Sequence, residues 1–132
     1  MEETLSVNAA APYARYVQYL REGQLAYQYS KQAGKAIFFP RVRCPYTGKK
    51  ELEWRISKGL GTVYSTSVVF PRKGDPYNVA LVDLDEGFRI MSKVVAVNPS
   101  DVRIGQRVRF EVASEADLED PIPVFTLMEA RV

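Results

Sequence analysis

Between Tyr29 and Gly48 the chain reads YSKQAGKAIFFPRVRCPYTG, two tight-turn signals joined by a Phe-Phe-Pro-Arg linker. This is the layout of a small metal ribbon, in which two turns each present a pair of ligands spaced C-x-x-C to one tetrahedral zinc ion. The corresponding positions are Ser30, Ala33, Cys44 and Thr47, so only Cys44 is a good ligand. The frame is legible and its ion is not expected. Without a metal, the ribbon must be held by apolar packing, and Tyr27, Tyr29, Phe38, Phe39, Tyr46 and Trp54 are the side chains available for it.

Histidine is absent from all 132 residues. That removes the commonest general base, the commonest zinc ligand and every Ser-His or Cys-His pair. Cys44 therefore has no partner as a nucleophile; Arg41 and Arg43 are the only nearby groups that would favour its thiolate. Among the carboxylates, Asp83, Asp85 and Glu86 read as part of a hairpin turn, and Asp117, Glu119 and Asp120 as a solvated loop. No catalytic constellation is predicted. A net charge of +2 gives no global field for nucleic acid or membrane. The single cysteine fits a reducing cytosol, and the acidic start MEETLSVNAA lacks a secretory pattern, so a cytoplasmic location is expected. No apolar run approaches the roughly 20 residues of a membrane span.

Residues 1–8 are expected to form a loose arm. A helix is predicted from Pro12 to Glu22, with proline in its first turn and Gly23 as its stop. Tyr13, Tyr16, Val17 and Leu20 share one face of it. That face packs on the chain's own core or meets a partner, and Tyr13, Tyr16 and Tyr19 are the partner-facing candidates; periodicity leaves both readings open. Leu25–Ser30 and Leu52–Ile56 alternate as half-buried strands on the two sides of the ribbon. From Lys58 onward the pattern is continuous β structure: Lys58–Phe70, Asn78–Leu84, Phe88–Val97, Gln106–Val112 and Val124–Met128, with an Asp85-Glu86-Gly87 hairpin turn and a helical turn begun by Asn98-Pro99. In the fourth, Val108, Phe110 and Val112 are expected inward. Gly59 and Gly61 mark coiling or close backbone approach. The fold class predicted is mainly β: a five-stranded OB-fold barrel (residues 58–132) preceded by an arm, short helix and degenerate rubredoxin-like ribbon (residues 1–57).

The chain resembles the zinc-ribbon plus OB-fold proteins associated with acyl-CoA metabolism, long catalogued as a domain of unknown function. The resemblance rests on FFPRVRCPYTG (38–48), GLGTVYSTSVV (59–69), VALVDLDEG (79–87) and VNPSDVRIGQRV (97–108), in order across residues 12 to 128. The family's cysteines fall on Ser30, Ala33, Cys44 and Thr47, so its zinc is not carried over. The resemblance implies a non-catalytic partner of a thiolase-like or ketosynthase-like enzyme, of hydroxymethylglutaryl-CoA synthase assemblies, or of related aldolases. Such a subunit bridges enzymes and helps hold a coenzyme A thioester, for which Arg41, Arg43, Tyr64 and Ser65 are the expected contacts. An alternative is a single-stranded nucleic-acid module using Lys58, Tyr64, Arg72 and Lys73. A stand-alone enzyme is the remaining reading.

Overall fold

A computed structural model describes residues 11–115 and 118–128. The expected N-terminal arm and Asp117 lie outside these residues. Helix α1 (Pro12–Arg21) begins with proline at its first turn and ends before Gly23, whose φ of 81° reverses the chain. It buries Tyr16, Val17 and Leu20, so the predicted apolar stripe faces the protein's own core except at its first member, exposed Tyr13.

Strands β1 (Ala26–Ser30), β2 (Lys35–Ile37) and β3 (Glu53–Ile56) form an antiparallel sheet with β1 in the centre. Two sequence expectations change here. The segment after Gly34 is a short strand, too brief to show a period of two. And β1 is buried on both faces, not one: Ala26, Tyr27, Gln28 and Ser30 are all buried. The reason is that the 38–48 linker folds back over the side opposite the core, so Gln28 and Ser30 meet it instead of water. The expected aromatic core is only partly formed. Tyr27 is buried, and Tyr29, Phe38 and Trp54 pack against the core, but Phe39 and Tyr46 are 50% and 59% exposed.

The remaining strands are β4 (Leu60–Val69), β5 (Tyr77–Leu84), β6 (Arg89–Ser92), β7 (Val94–Val95), β8 (Arg107–Ala113) and β9 (Ile122–Leu127). Their order is β6-β5-β4-β8-β9-β7. Only Lys93 separates β6 from β7 in sequence, so the first and last members of the sheet are one broken strand and the sheet closes on itself. The single third strand expected over 88–97 is thus two pieces: β6 pairs antiparallel with β5, and β7 pairs parallel with β9. Buried Asn78 marks the break. Its Oδ1 accepts from the Val94 N–H at 3.2 Å, while its Nδ2 donates to Thr66 Oγ1 at 2.5 Å. Asn98 accepts from the Ser100 N–H and opens the short 3-10 turn Pro99–Asp101, as its side-chain chemistry predicts. In β8, Val108 is fully buried and Phe110 half-buried, but Val112 is 36% exposed, because the strand runs past the barrel's end.

One apolar core runs through both parts. Tyr16, Leu20, Leu25 and Tyr27 belong to the same cluster as Val63, Val82, Ile90 and Phe125. Phe88 is the joint: Tyr27 stacks on it at 4.7 Å between ring centroids and Phe38 at 5.2 Å.

Candidate functional site

The mouth left between α1, the 38–39 linker and the barrel is an apolar groove. Tyr13, Tyr16, Phe38 and Phe39 form one wall, and Ile90, Met91 and Pro123 belong to the barrel side, around a volume of about 380 Å³. The aromatic wall is a chain of ring contacts: Tyr13–Phe39 at 5.8 Å, Tyr16–Phe38 at 5.4 Å and Phe38–Phe39 at 5.4 Å. Burial pushes the Tyr16 phenol above its usual range, with Tyr13 adding to it, so Tyr16 stays a neutral hydroxyl. Met91 is 70% exposed, and with Ile122 and Pro123 it also lines a second groove of about 320 Å³ that reaches Tyr77 and Lys93. Together these form a continuous apolar surface, the kind that marks an interaction site on a soluble protein.

Arg89 is the charged group on the rim. Its guanidinium forks onto Asp83 at 2.6 and 3.2 Å and lies 3.5 Å from the Tyr64 ring centroid. Nothing in the residue-type patterns singled it out. The hairpin does: Asp83 and Arg89 stand opposite each other in the β5–β6 register across the Asp85–Gly87 turn.

The sequence-derived candidates disperse. Tyr13 stands on the groove rim, 48% exposed, whereas Tyr16 lines the groove but is only 3% exposed. Tyr19 turns away and packs on Trp54 at 5.6 Å. Tyr64 meets the rim through Arg89, and Ser65 is half-buried beside it at the β4 bulge. Arg41 and Arg43 are exposed and line neither groove. Lys58, Arg72 and Lys73 are also exposed, the last two in the loop between β4 and β5.

The carboxylates of the hairpin are each engaged. Asp85 takes a bidentate pair from Arg107 at 2.8 and 2.7 Å, which holds its carboxyl below the usual range. Glu86 accepts from the Ser57 hydroxyl and the Lys58 N–H, fixing the entry to β4. General acid–base work needs two carboxyls with separated proton affinities. These are turn and strand fasteners. Among the described residues no group of three or more His, Cys, Asp or Glu is placed to hold a metal, and no helix is long and apolar enough to cross a membrane.

Two turns, one after Ser30 and one after Cys44, carry similar hydrogen bonds. The Ala33 N–H donates to Ser30 Oγ at 3.1 Å and the Tyr46 N–H to Cys44 Sγ at 3.4 Å. The Gly34 and Gly48 N–H groups donate to the Ser30 and Cys44 carbonyls at 2.7 and 2.8 Å. Burial raises the Cys44 thiol, but hydrogen bonds from the Ser30 and Thr47 hydroxyls and from the Tyr46 and Thr47 backbone outweigh it, bringing the pKa down to about 7.

The family described as ChsH2, C-terminal OB-fold domain matches residues 54–113. A DUF35 domain-containing scaffold protein of Methanocaldococcus jannaschii is 38% identical over 84 residues, 59% of this chain and 60% of that protein's own length. A probable enoyl-CoA hydratase alpha subunit of Thermomonospora curvata is 37% identical over 90 residues, covering 65% of this chain and 28% of that subunit. Among solved structures, a chain of the Ltp2-ChsH2(DUF35) aldolase superposes with a TM-score of 0.75 at 30% identity, over 89% of this chain and 94% of that one.

Proposed function

The chain belongs to the DUF35 family, and from that premise we propose that it is a non-catalytic accessory subunit of a thiolase-like or related CoA-dependent enzyme. It docks on the enzyme and helps hold an acyl-CoA thioester at the joint. The observation that carries this reading is the likeness, over 89% of this chain and 94% of that one, to a chain of the Ltp2-ChsH2(DUF35) aldolase. The groove supports it. Tyr13, Phe39 and Met91 stand exposed on a contiguous apolar surface next to a fixed arginine, and aromatic, Met and Arg side chains are those that concentrate at protein interfaces. In the same reading the three-stranded sheet and its two turns are a rubredoxin-like ribbon held without an ion, and the chain divides near residue 57 into ribbon and barrel.

The test is co-expression with a candidate thiolase-like enzyme of the same organism. The two should co-purify and elute together in size-exclusion chromatography, and Tyr13→Ala or Phe39→Ala should weaken the complex about tenfold or more, as expected of an aromatic anchor. The isolated chain should leave acyl-CoA unchanged. Separate elution of the two proteins, or turnover of acyl-CoA by this chain alone, would overturn the proposal.

A further inference from the structure

The charge of this protein is unevenly placed. Residues 31–50 carry Lys31, Lys35, Arg41, Arg43, Lys49 and Lys50 and no Asp or Glu, while the other twelve of the 18 basic residues are outnumbered by 16 acidic ones. The fold gathers these six around the paired turns. Lys31 and Lys50 line one cleft beside Tyr29, bordered by Glu51 and Glu53. The Lys35 ammonium lies 4.6 Å from the Tyr46 ring centroid. Arg43 Nη1 donates to the Gly48 carbonyl at 3.1 Å, and the Cys44 N–H to the Lys49 carbonyl at 2.8 Å. Glu53 is shared between Arg55 and Lys31. Among the cations stand exposed apolar groups, Phe39, Val42 and Tyr46, at 50%, 56% and 59%.

We infer that this lobe is the electrostatic half of the docking surface and seats against an acidic patch on the partner enzyme. The inference rests on the accessory-subunit reading and adds to it the chemistry of the partner's face. Three features favour a protein surface as the occupant. Arginines interleaved with aromatic and apolar side chains are the composition of an interface core, where a bare solvated face would carry the charges alone. Arg41 and Arg43 lie on an exposed linker outside both grooves, so they meet a surface and not a molecule in a cleft. Phe39 belongs at once to the lobe and to the groove wall, which makes the two regions one continuous face. The linker is also held in place before binding, because both backbone polar groups of Arg41 are bonded to buried Gln28, and preorganisation lowers the ordering cost of association. Single-stranded nucleic acid is disfavoured because base stacking needs open ring faces. Tyr29, Tyr46 and Tyr64 each already carry a cation over the ring.

The experiment uses the enzyme complex and two independent charge reversals, Arg41→Glu/Arg43→Glu and Lys49→Glu/Lys50→Glu. Arg72→Glu/Lys73→Glu makes the same charge change in the β4–β5 loop. Affinity is measured at about 50 and about 300 mM NaCl, with far-UV circular dichroism to verify folding. Each lobe pair should weaken binding about tenfold or more at low salt and flatten its salt dependence, and the loop pair should change it less than about twofold. If the complex forms and all three pairs behave alike, the lobe inference falls and the accessory reading stands. If no complex forms, both fall. If the chain binds a single-stranded oligonucleotide at about 150 mM salt, and the lobe pairs abolish that binding but leave the enzyme complex unchanged, the lobe serves nucleic acid and the inference is overturned.

Discussion

Gln28 holds Arg41 by both of its backbone polar groups. The Arg41 N–H donates to Gln28 Oε1 at 2.6 Å, and Gln28 Nε2 donates to the Arg41 carbonyl at 2.8 Å. The side chain thus acts as a neighbouring strand would, tying the 38–44 linker to the centre of the three-stranded sheet. Gln28 is 4% exposed, so water does not replace it easily. Gln28→Leu should leave an amide and a carbonyl without partners and lower stability by about 1–3 kcal/mol. Urea denaturation checks it; a midpoint equal to wild type would mean that the linker closes without this clamp.

Among the glycines, Gly61 has the tightest surroundings. A Cβ there would lie 2.6 Å from the Asp83 carbonyl oxygen and 2.8 Å from Val82 Cγ1. The first contact is backbone in a paired strand and cannot swing away. Gly61→Ala should cost about 1–3 kcal/mol through overpacking alone. Gly74→Ala is the comparison: φ is 96° and nothing lies within 4 Å, so only the left-handed strain of about 1–2 kcal/mol remains. A thermal-melt comparison separates the two, and a milder loss at Gly61 than at Gly74 would contradict the packing argument.

These two positions show what was legible in the sequence. Gly59 and Gly61 signal close approach because glycine in a strand otherwise only weakens it, and the structure places Phe110 and Asp83 against them. The helix, the Asp85–Gly87 hairpin and the Asn98 turn were readable for a similar reason: each is decided by local chemistry. The break at Lys93 was not. Residues 88–97 are uniformly strand-like, and the division into β6 and β7 falls where the Asn78 side chain, 16 residues away on the neighbouring strand, bonds the Val94 N–H. The candidate site follows the same rule. Tyr13 and Tyr16 were visible as a helical face, but their convergence with Phe38, Phe39 and Met91 depends on how the linker folds over the barrel mouth. Arg89 carried no type signal, since its role comes from standing opposite Asp83.

Cys44 makes stability depend on pH. Its folded pKa of about 7 lies below that of a free thiol, because the Ser30 and Thr47 hydroxyls and two backbone N–H groups favour the thiolate more than burial opposes it. A group with a depressed folded pKa stabilises the fold above its unfolded pKa and loses that contribution as pH falls through the folded one. Stability should therefore rise from about pH 7 toward about pH 8.5 in the wild type and show no such rise in Cys44→Ala. Chemical denaturation across that window, with thiolate absorbance recorded on the folded protein, checks both. Parallel pH profiles for the two proteins would remove the thiolate from the account.

The paired turns should accept a zinc ion once four cysteines are supplied. Ser30 with Ala33, and Cys44 with Thr47, each span two intervening residues, the spacing of a zinc knuckle. Both turns have the same backbone hydrogen bond, from the Gly34 N–H to the Ser30 carbonyl at 2.7 Å and from the Gly48 N–H to the Cys44 carbonyl at 2.8 Å, and Ser30 Oγ and Cys44 Sγ each accept a backbone N–H, at 3.1 and 3.4 Å. Ser30 and Thr47 are close enough to the Cys44 thiol to lower its pKa. Ser30→Cys/Ala33→Cys/Thr47→Cys should bind one zinc ion, measured by metal analysis and by cobalt thiolate absorbance, and chelator should lower its melting temperature. A folded triple variant that takes up no metal would mean that the turns do not bring four sulfurs to one tetrahedron. Partner binding is a separate readout. If the groove and the six basic side chains make the docking contacts, restoring the ion should leave affinity largely unchanged, because none of the three substituted residues lines the groove or is one of those six. Loss of the complex in a folded, zinc-loaded variant would instead make the metal-free packing itself a requirement of docking.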